Sequence, residues 1–331
     1  MKKYVKNAFL MAALLMVFVG FAAAEKTYDN NTQATDFIEK MVSEHGADRA
    51  ELNSLFAQAK YKDSIIKAMT RPAEKVKQWK DYRGIFVTER RIRQGLEFWD
   101  EQRETLEKMQ AEYGVPIEYV VAIIGVETYY GRRMGSFRVI DALSTLAFDY
   151  PARSTFFTSE LKHFLLLAKE QKLKPRELLG SYAGAMGYGQ FMPSSYRAYA
   201  VDYNADGVAD IWNDPVDAIG SVANYLLRHG WKKGEGVVLR AKATDDFTDE
   251  SINKLRKPSV STDSLAGLGL TPVVPLVEST KAIPLRLEGK SGTEFWLGLQ
   301  NFYTITRYNH SFRYAMAVTQ LAEEIAANMK K

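Results

Sequence analysis

Glu127 is the side chain in this 331-residue sequence whose setting is best suited to chemistry. Upstream of it, Ile117, Val120, Val121 and Ile124 recur at helical spacing. Glu127 follows Ile124 by three residues and Val120 by seven, so it shares their apolar ridge. Burial penalises an ionised carboxylate and raises its pKa. The helix is expected to end near Gly131, which puts the carboxyl in a last turn whose dipole also disfavours negative charge. Both effects keep a proton on the group near neutral pH, as a general acid requires. Periodicity alone leaves a second reading open, a partly exposed Glu paired with Arg132 or Arg133.

Two further segments carry chemistry-bearing residues. Residues 180–195 pack four glycines and several small residues ahead of a new helix. They lack the Gly-Lys-Ser/Thr of a phosphate loop, and no dinucleotide fingerprint is complete. The glycines serve close approach, either between elements or between backbone and an extended ligand. Residues 202–208 open like an EF-hand loop, with Asp202, Asn204 and Asp206 at alternate positions, then Gly207 for the sharp turn and Val208 as a carbonyl donor. The twelfth position is Asn213 rather than a bidentate Glu, so a lengthened loop closed by Asp217, just past Asp214, is the preferred reading, with Asp210 as a further candidate ligand. A structural Ca2+ is expected there, with an ion-free Asp/Asn/Gly turn as the alternative.

The elements that must hold these residues are mainly helical, giving a mainly α (α+β) fold. Ile92, Leu96, Trp99, Leu106 and Met109 fit one face of a long helix ended by Gly114, and Pro116 starts the next. Helices are also expected over 155–171, 193–199 and 215–229, and an amphipathic one from Phe312 to the C-terminus, where Lys330 and Lys331 suit its dipole. Between 234 and 294 the composition shifts to Gly, Pro, Ser and Asp around β-prone runs at 237–239, 273–277 and 283–287. This reads as a small β insert or else a linker. The expected order is a signal segment 1–24, an N-terminal helical domain 25–114, a core 115–233 with the EF-hand-like loop, the β-rich insert 234–294, and a return to the core and α domain over 295–331.

Lys2, Lys3 and Lys6 precede an apolar run from Ala8 to Phe21 and the small residues Ala22, Ala23 and Ala24, the pattern of a cleaved secretory signal. A retained anchor is the alternative, although the run is short for a span of about 20 residues. The absence of Cys excludes disulfides, thiolate metal sites, a thiol nucleophile and a lipid-bearing Cys at the cleavage point. The formal charge is +4, from 44 basic and 40 acidic residues; without residues 1–24 it falls to 41 against 40, or +1. The basicity is largely that of the export segment, so no nucleic-acid partner is indicated. A periplasmic monomer is expected.

The runs 124–128, 180–195, 217–225 and 302–311, in this order, closely resemble the membrane-bound lytic murein transglycosylase B family and its soluble relatives. The resemblance spans about residue 75 to the C-terminus. It implies a lysozyme-like catalytic core that cleaves the β-1,4 bond between N-acetylmuramic acid and N-acetylglucosamine of peptidoglycan without water, leaving 1,6-anhydromuramoyl ends. It makes Glu127 the single acid and then base, with no catalytic cofactor. The sequence fits one carboxylate, since Asp141 and Asp149 look like helix-end or loop residues, whereas ordinary glycosidases need a pair. By the same resemblance Ser181 and Gln190 would bond Glu127 or nearby sugar groups. Tyr82, Tyr225, Tyr308, Asn309 and Tyr314 would line a saccharide groove, and Arg153 would meet acidic groups. Phe156 stands where relatives carry Tyr. The relatives' similar atypical loop agrees with the calcium reading. Peptidoglycan strands are the expected partner, with other cell-wall enzymes as further candidates. A hydrolytic muramidase and a non-catalytic peptidoglycan-binding module are the competing functions.

Overall fold

The computed structural model describes residues 25–70, 77–248, 250–276 and 278–329. The expected signal segment 1–24, Val277 of the run 273–277, and Lys330 and Lys331 lie outside the described residues.

Among the described residues, six helices precede the one that carries Glu127: α1 (Thr32–His45), α2 (Arg49–Phe56), α3 (Asp63–Thr70), α4 (Trp79–Phe86), α5 (Glu89–Glu101) and α6 (Arg103–Tyr113). Short polar side chains start several of them. Asn31 accepts from the N–H of Ala34, Asp48 from Glu51 and Thr88 from Arg91. Gly46 and Gly114 close α1 and α6 in the left-handed conformation. The expected single long helix is thus two, broken at Gln102 (φ −112°, ψ 19°). The break lets the two halves bury different faces. Leu106 and Met109 are fully buried on α6, whereas α5 buries Arg91, Gln94, Gly95 and Phe98 and leaves Ile92, Leu96 and Trp99 only partly covered.

The central helix α7 (Ile117–Thr128) follows, then α8 (Val139–Asp149), a 3-10 turn (Pro151–Arg153), α9 (Ser154–Glu170), α10 (Pro193–Tyr199), α11 (Pro215–Arg228), α13 (Gln300–Tyr308) and α14 (Phe312–Met329), with the short α12 (Thr262–Gly267) inside the sheet region. Nine of the twelve residues of α7 are buried, so it is apolar on nearly every side. A two-stranded ribbon, β1 (Phe137–Arg138) against β2 (Leu179–Gly180), ties the segment after α7 to the glycine-rich run.

Among the described residues the other sheet has five antiparallel strands in the order β4-β6-β7-β3-β5: β3 (Val238–Ala243), β4 (Val260–Ser261), β5 (Leu270–Pro272), β6 (Lys281–Gly289) and β7 (Gly292–Gly298). The run 283–287 lies in β6 and 237–239 leads into β3. Residues 273–276 are not a strand: the β3–β5 register ends at Pro272, with one further backbone bond from the N–H of Val273 to the carbonyl of Arg240, and Val273 and Val274 are exposed. The sheet also continues to Gly298, beyond the expected boundary at 294. Phe295, Trp296 and Leu297 form a short apolar run, which periodicity cannot assign to strand or helix. On β6, Ile283, Leu285 and Leu287 alternate toward the main core, while Ala282 joins Ala241, Leu265, Leu270 and Leu297 in a second, smaller one.

One core runs through the remainder. Phe37 of α1 and Phe56 of α2 meet Phe148 of α8 at ring separations of 6.1 and 5.9 Å. The N-terminal helices therefore share the core of the expected 115–233 unit. The final helix α14 packs on α7, α4, α5 and α13.

Candidate active site

Glu127 lies one residue from the C-terminal end of α7. Tyr129 (φ 52°), Tyr130 (φ 60°) and Gly131 (φ 81°) then turn the chain through three consecutive left-handed conformations. The helix stops at Thr128, a little before the expected Gly131. Protein closes around the carboxyl while some of the residue's surface remains open to solvent. Burial raises its pKa to about 7, against a smaller downward pull from the Tyr314 hydroxyl. That hydroxyl, from the first turn of α14, donates to Glu127 Oε1 at 2.6 Å. No other hydrogen bond reaches the carboxyl among the described residues, so Arg132 and Arg133 do not pair with it. Arg132 faces Glu97 instead, at 3.6 Å.

Tyr308 is a second phenol within the electrostatic reach of Glu127. Burial first, and the carboxylate second, push both Tyr308 and Tyr314 well above the ordinary phenol range, so both keep their protons. Tyr308 donates to the carbonyl of Gly189, and Tyr225 to that of Arg307, each at 2.5 Å. Their hydroxyls brace α11, α13 and the glycine-rich run against one another. A Cβ on Gly189 would stand 2.7 Å from the Tyr308 oxygen, which explains that glycine by packing.

The structure does not bring the other expected residues onto the carboxyl. Ser181 Oγ accepts from the N–H groups of Ala183 and Ala185, ordering its own loop. Gln190, at φ 51°, donates from its amide to the carbonyls of Met134 and Gly187. Tyr82 stacks between Trp79 and Phe86 and acts electrostatically on Tyr314. Asn309 is the exposed cap of α13. Arg153 covers the ring of exposed Phe156 at 4.3 Å, at the start of α9.

Three further carboxylates are deeply buried, more than the sequence reading allowed. Each is held by donors. Asp141 takes Arg138 and the N–H of Lys60, and Glu160 takes the hydroxyl and N–H of Ser194 at the start of α10. Asp217 takes the N–H groups of Tyr203, Asn204 and Asp210. Asp149 is bonded by Lys26 and Tyr28. Glu127 alone of these has its acidic proton poised by burial with a single phenol partner.

Arg91, Thr128 and Tyr130 escaped the sequence reading and hold the end of α7. The buried Arg91 donates from Nε to the carbonyl of Gly125 (3.0 Å) and from Nη1 to those of Ile85 and Phe86 (2.7 and 2.8 Å), with its guanidinium 3.8 Å from the Tyr129 ring centre. A cation thus sits where the helix dipole is negative. Tyr130 donates to the carbonyl of Arg91, and its hydroxyl fills a slot left by Gly95 and Gly125. Thr128 donates to the carbonyl of Tyr188, fastening α7 to the glycine-rich run. The pair Gly95 and Gly125, each at a position facing another element, was the available signal for that slot.

In the 202–217 loop, backbone N–H groups occupy the acidic side chains. Asp202 accepts from Asp206 and Gly207, and Asp206 from Val208. The Asn204 amide donates to Asp214 at 2.6 Å. Among the described residues, no three His, Asp or Glu side chains converge as a metal cluster. The donors are nevertheless all hard oxygens, which suits calcium.

A mostly helical body that presents a protonatable carboxyl beside protonated phenols suits acid–base cleavage of a glycan. The chain belongs to the transglycosylase SLT domain family, which matches residues 29–323. It is 47% identical over 308 residues to membrane-bound lytic murein transglycosylase B of Escherichia coli (strain K12), covering 90% of this chain and 84% of that one. The structure of the catenated lytic transglycosylase SltB1 from Pseudomonas aeruginosa is 50% identical, with a TM-score of 0.87 over 91% of this chain and 99% of the other. That of the Escherichia coli lytic transglycosylase Slt35 in complex with calcium is 45% identical, with a TM-score of 0.85 over 96% of this chain and 100% of the other.

Proposed function

We propose that the chain is a lytic transglycosylase that cleaves the β-1,4 MurNAc–GlcNAc bond of peptidoglycan, with Glu127 as acid and then base. The observation that carries this reading is the Glu127 carboxyl, raised to about 7 and held at one oxygen by Tyr314. Its proton goes to the glycosidic oxygen as the bond from that oxygen to the anomeric carbon breaks. The carboxylate so formed takes the proton of the sugar's own 6-hydroxyl as that oxygen bonds to the anomeric carbon. Atoms balance without water, and Glu127 ends protonated. Tyr314 donates to one oxygen throughout and strengthens as charge develops.

Ser181, Gln190, Tyr82, Asn309, Arg153 and Phe156 contact the saccharide or its acidic substituents in this reading. Tyr225 and Tyr308, whose hydroxyls are committed to carbonyls, offer only ring faces to a sugar. The 202–217 loop takes a structural Ca2+ through Asp202, Asn204, Asp206, the Val208 carbonyl and Asp217, supported by the calcium complex of the Escherichia coli relative. The protein works in the periplasm after removal of residues 1–24. Among the described residues no helix is long and apolar enough to cross a membrane.

Mass spectrometry of a murein digest tests the chemistry. Products one water lighter than reducing muropeptides, lost in Glu127→Gln, are expected. Reducing ends would make the enzyme a hydrolase, and murein that binds without releasing product would leave a binding module.

A further inference from the structure

Helices α4 and α14, which carry Tyr82 and Tyr314, also wall a cleft. It lies between them and the β6–β7 hairpin and has a volume of about 520 Å3. On its sheet side Arg240 stands 4.8 Å above the Trp296 ring and pairs with Glu294 at 3.1 Å, and the Trp296 indole N–H donates to the same carboxylate. These three fix one another and leave the half-covered indole as an apolar wall.

The charges around that wall are not used up. Lys80 from α4 and Lys290 from the hairpin tip are exposed, and neither makes an ion pair among the described residues. Glu323 on α14 has no hydrogen-bond partner there either, and burial among the cleft walls, with Glu324 beside it, raises its pKa. The cleft therefore offers two free cations, one free carboxyl and an indole face. A ligand that matches has carboxylates outnumbering ammonium groups, on a short chain with some apolar surface.

From this juxtaposition we propose that the cleft binds the peptide borne by a peptidoglycan strand whose glycan lies at Glu127. Lys80 and Lys290 take its carboxylates, Glu323 its free amine and Trp296 its aliphatic surface. The spacing agrees. At 1.5 Å per residue, Glu323 lies about 14 Å along α14 from Tyr314, and an extended peptide of four residues reaches about 13 Å. The inference rests on the peptidoglycan reading above and deepens it.

The test compares peptide-bearing murein strands with the same strands stripped of peptide by an amidase. The wild type and the Lys80→Gln/Lys290→Gln double variant are assayed on both. The altered side chains are exposed, so the fold is retained. For the double variant, KM on peptide-bearing strands is expected to rise by about three- to tenfold with kcat unchanged, and turnover of stripped strands to match the wild type. A synthetic N-acetyl-Ala-Glu-Lys peptide, with two carboxylates and one ammonium group, should quench the tryptophan fluorescence of the wild type. Acetylating its lysine should weaken that binding, and Glu323→Gln should remove the effect of acetylation. A double variant that handles both substrates like the wild type, or loses both equally, overturns the proposal. Failure of the wild type to release anhydro products from either substrate would instead remove the reading beneath it.

Discussion

A carboxyl with a pKa of about 7 is a working acid only while it holds its proton, so activity should fall as pH rises through about 7. Tyr314 lowers that pKa by hydrogen-bonding the charged form. Tyr314→Phe is therefore expected to move the alkaline limb of kcat/KM upward while lowering its plateau; a limb that stays put would detach the phenol from the acid. The same shift has a stability sign. Between the unfolded value of 4.5 and about 7, the folded state holds a proton that the unfolded state has lost, so stability falls as pH rises across that window. The loss is at most about 3 kcal/mol. Glu127→Gln should remove this slope, melting above the wild type at pH 8 and level with it at pH 4. Coincident melting curves at both pH values would contradict the burial argument.

At the scale of elements, the end of α7 depends on Arg91. Arg91→Met strips donors from the carbonyls of Gly125, Ile85 and Phe86, and should cost about 3–5 kcal/mol in urea unfolding together with a drop in kcat. The calcium proposal is also a matter of one element. Calcium should raise the melting temperature of the wild type and leave Asp202→Ala/Asp206→Ala unmoved. Legibility divides along the same line. Glu127 could be found because an apolar ridge at helical spacing is a local signal. The 202–208 motif could be found because its ligands are neighbours in sequence. Arg91 could not, since α5 turns a polar stripe of Arg91, Gln94 and Gly95 inward and its apolar residues sideways. Only the partner helices explain that choice. Strand β7 was missed for a related reason, because its apolar run acquires a strand identity only from pairing with β3 and β6.

For the molecule as a whole, the shared core matters more than the division into an N-terminal helical domain and a catalytic one. Phe37 and Phe56 complete a cluster around Phe148, so removing one of them loosens the body that holds α7. Phe37→Ala is expected to cost about 3–5 kcal/mol. The midpoints for activity and for far-ultraviolet circular dichroism should shift together. A separate early transition with activity intact would show that the helices fold independently. That the two regions share one core was not legible in sequence, because helical patterning says which face is apolar and not which distant face meets it.

The phenols beside Glu127 come from Tyr308 and Tyr314, almost two hundred residues later in the chain. A polypeptide emerging N-terminus first carries its acid long before it carries the groups that set it. Until the α13 and α14 segments arrive, Glu127 has neither the enclosure that holds its proton nor the hydroxyl that steadies its anion. With Glu127 as the acid, as proposed above, a chain built this way cannot act until α13 and α14 have closed around the carboxyl. Activity is then expected to appear only with the completion of folding itself.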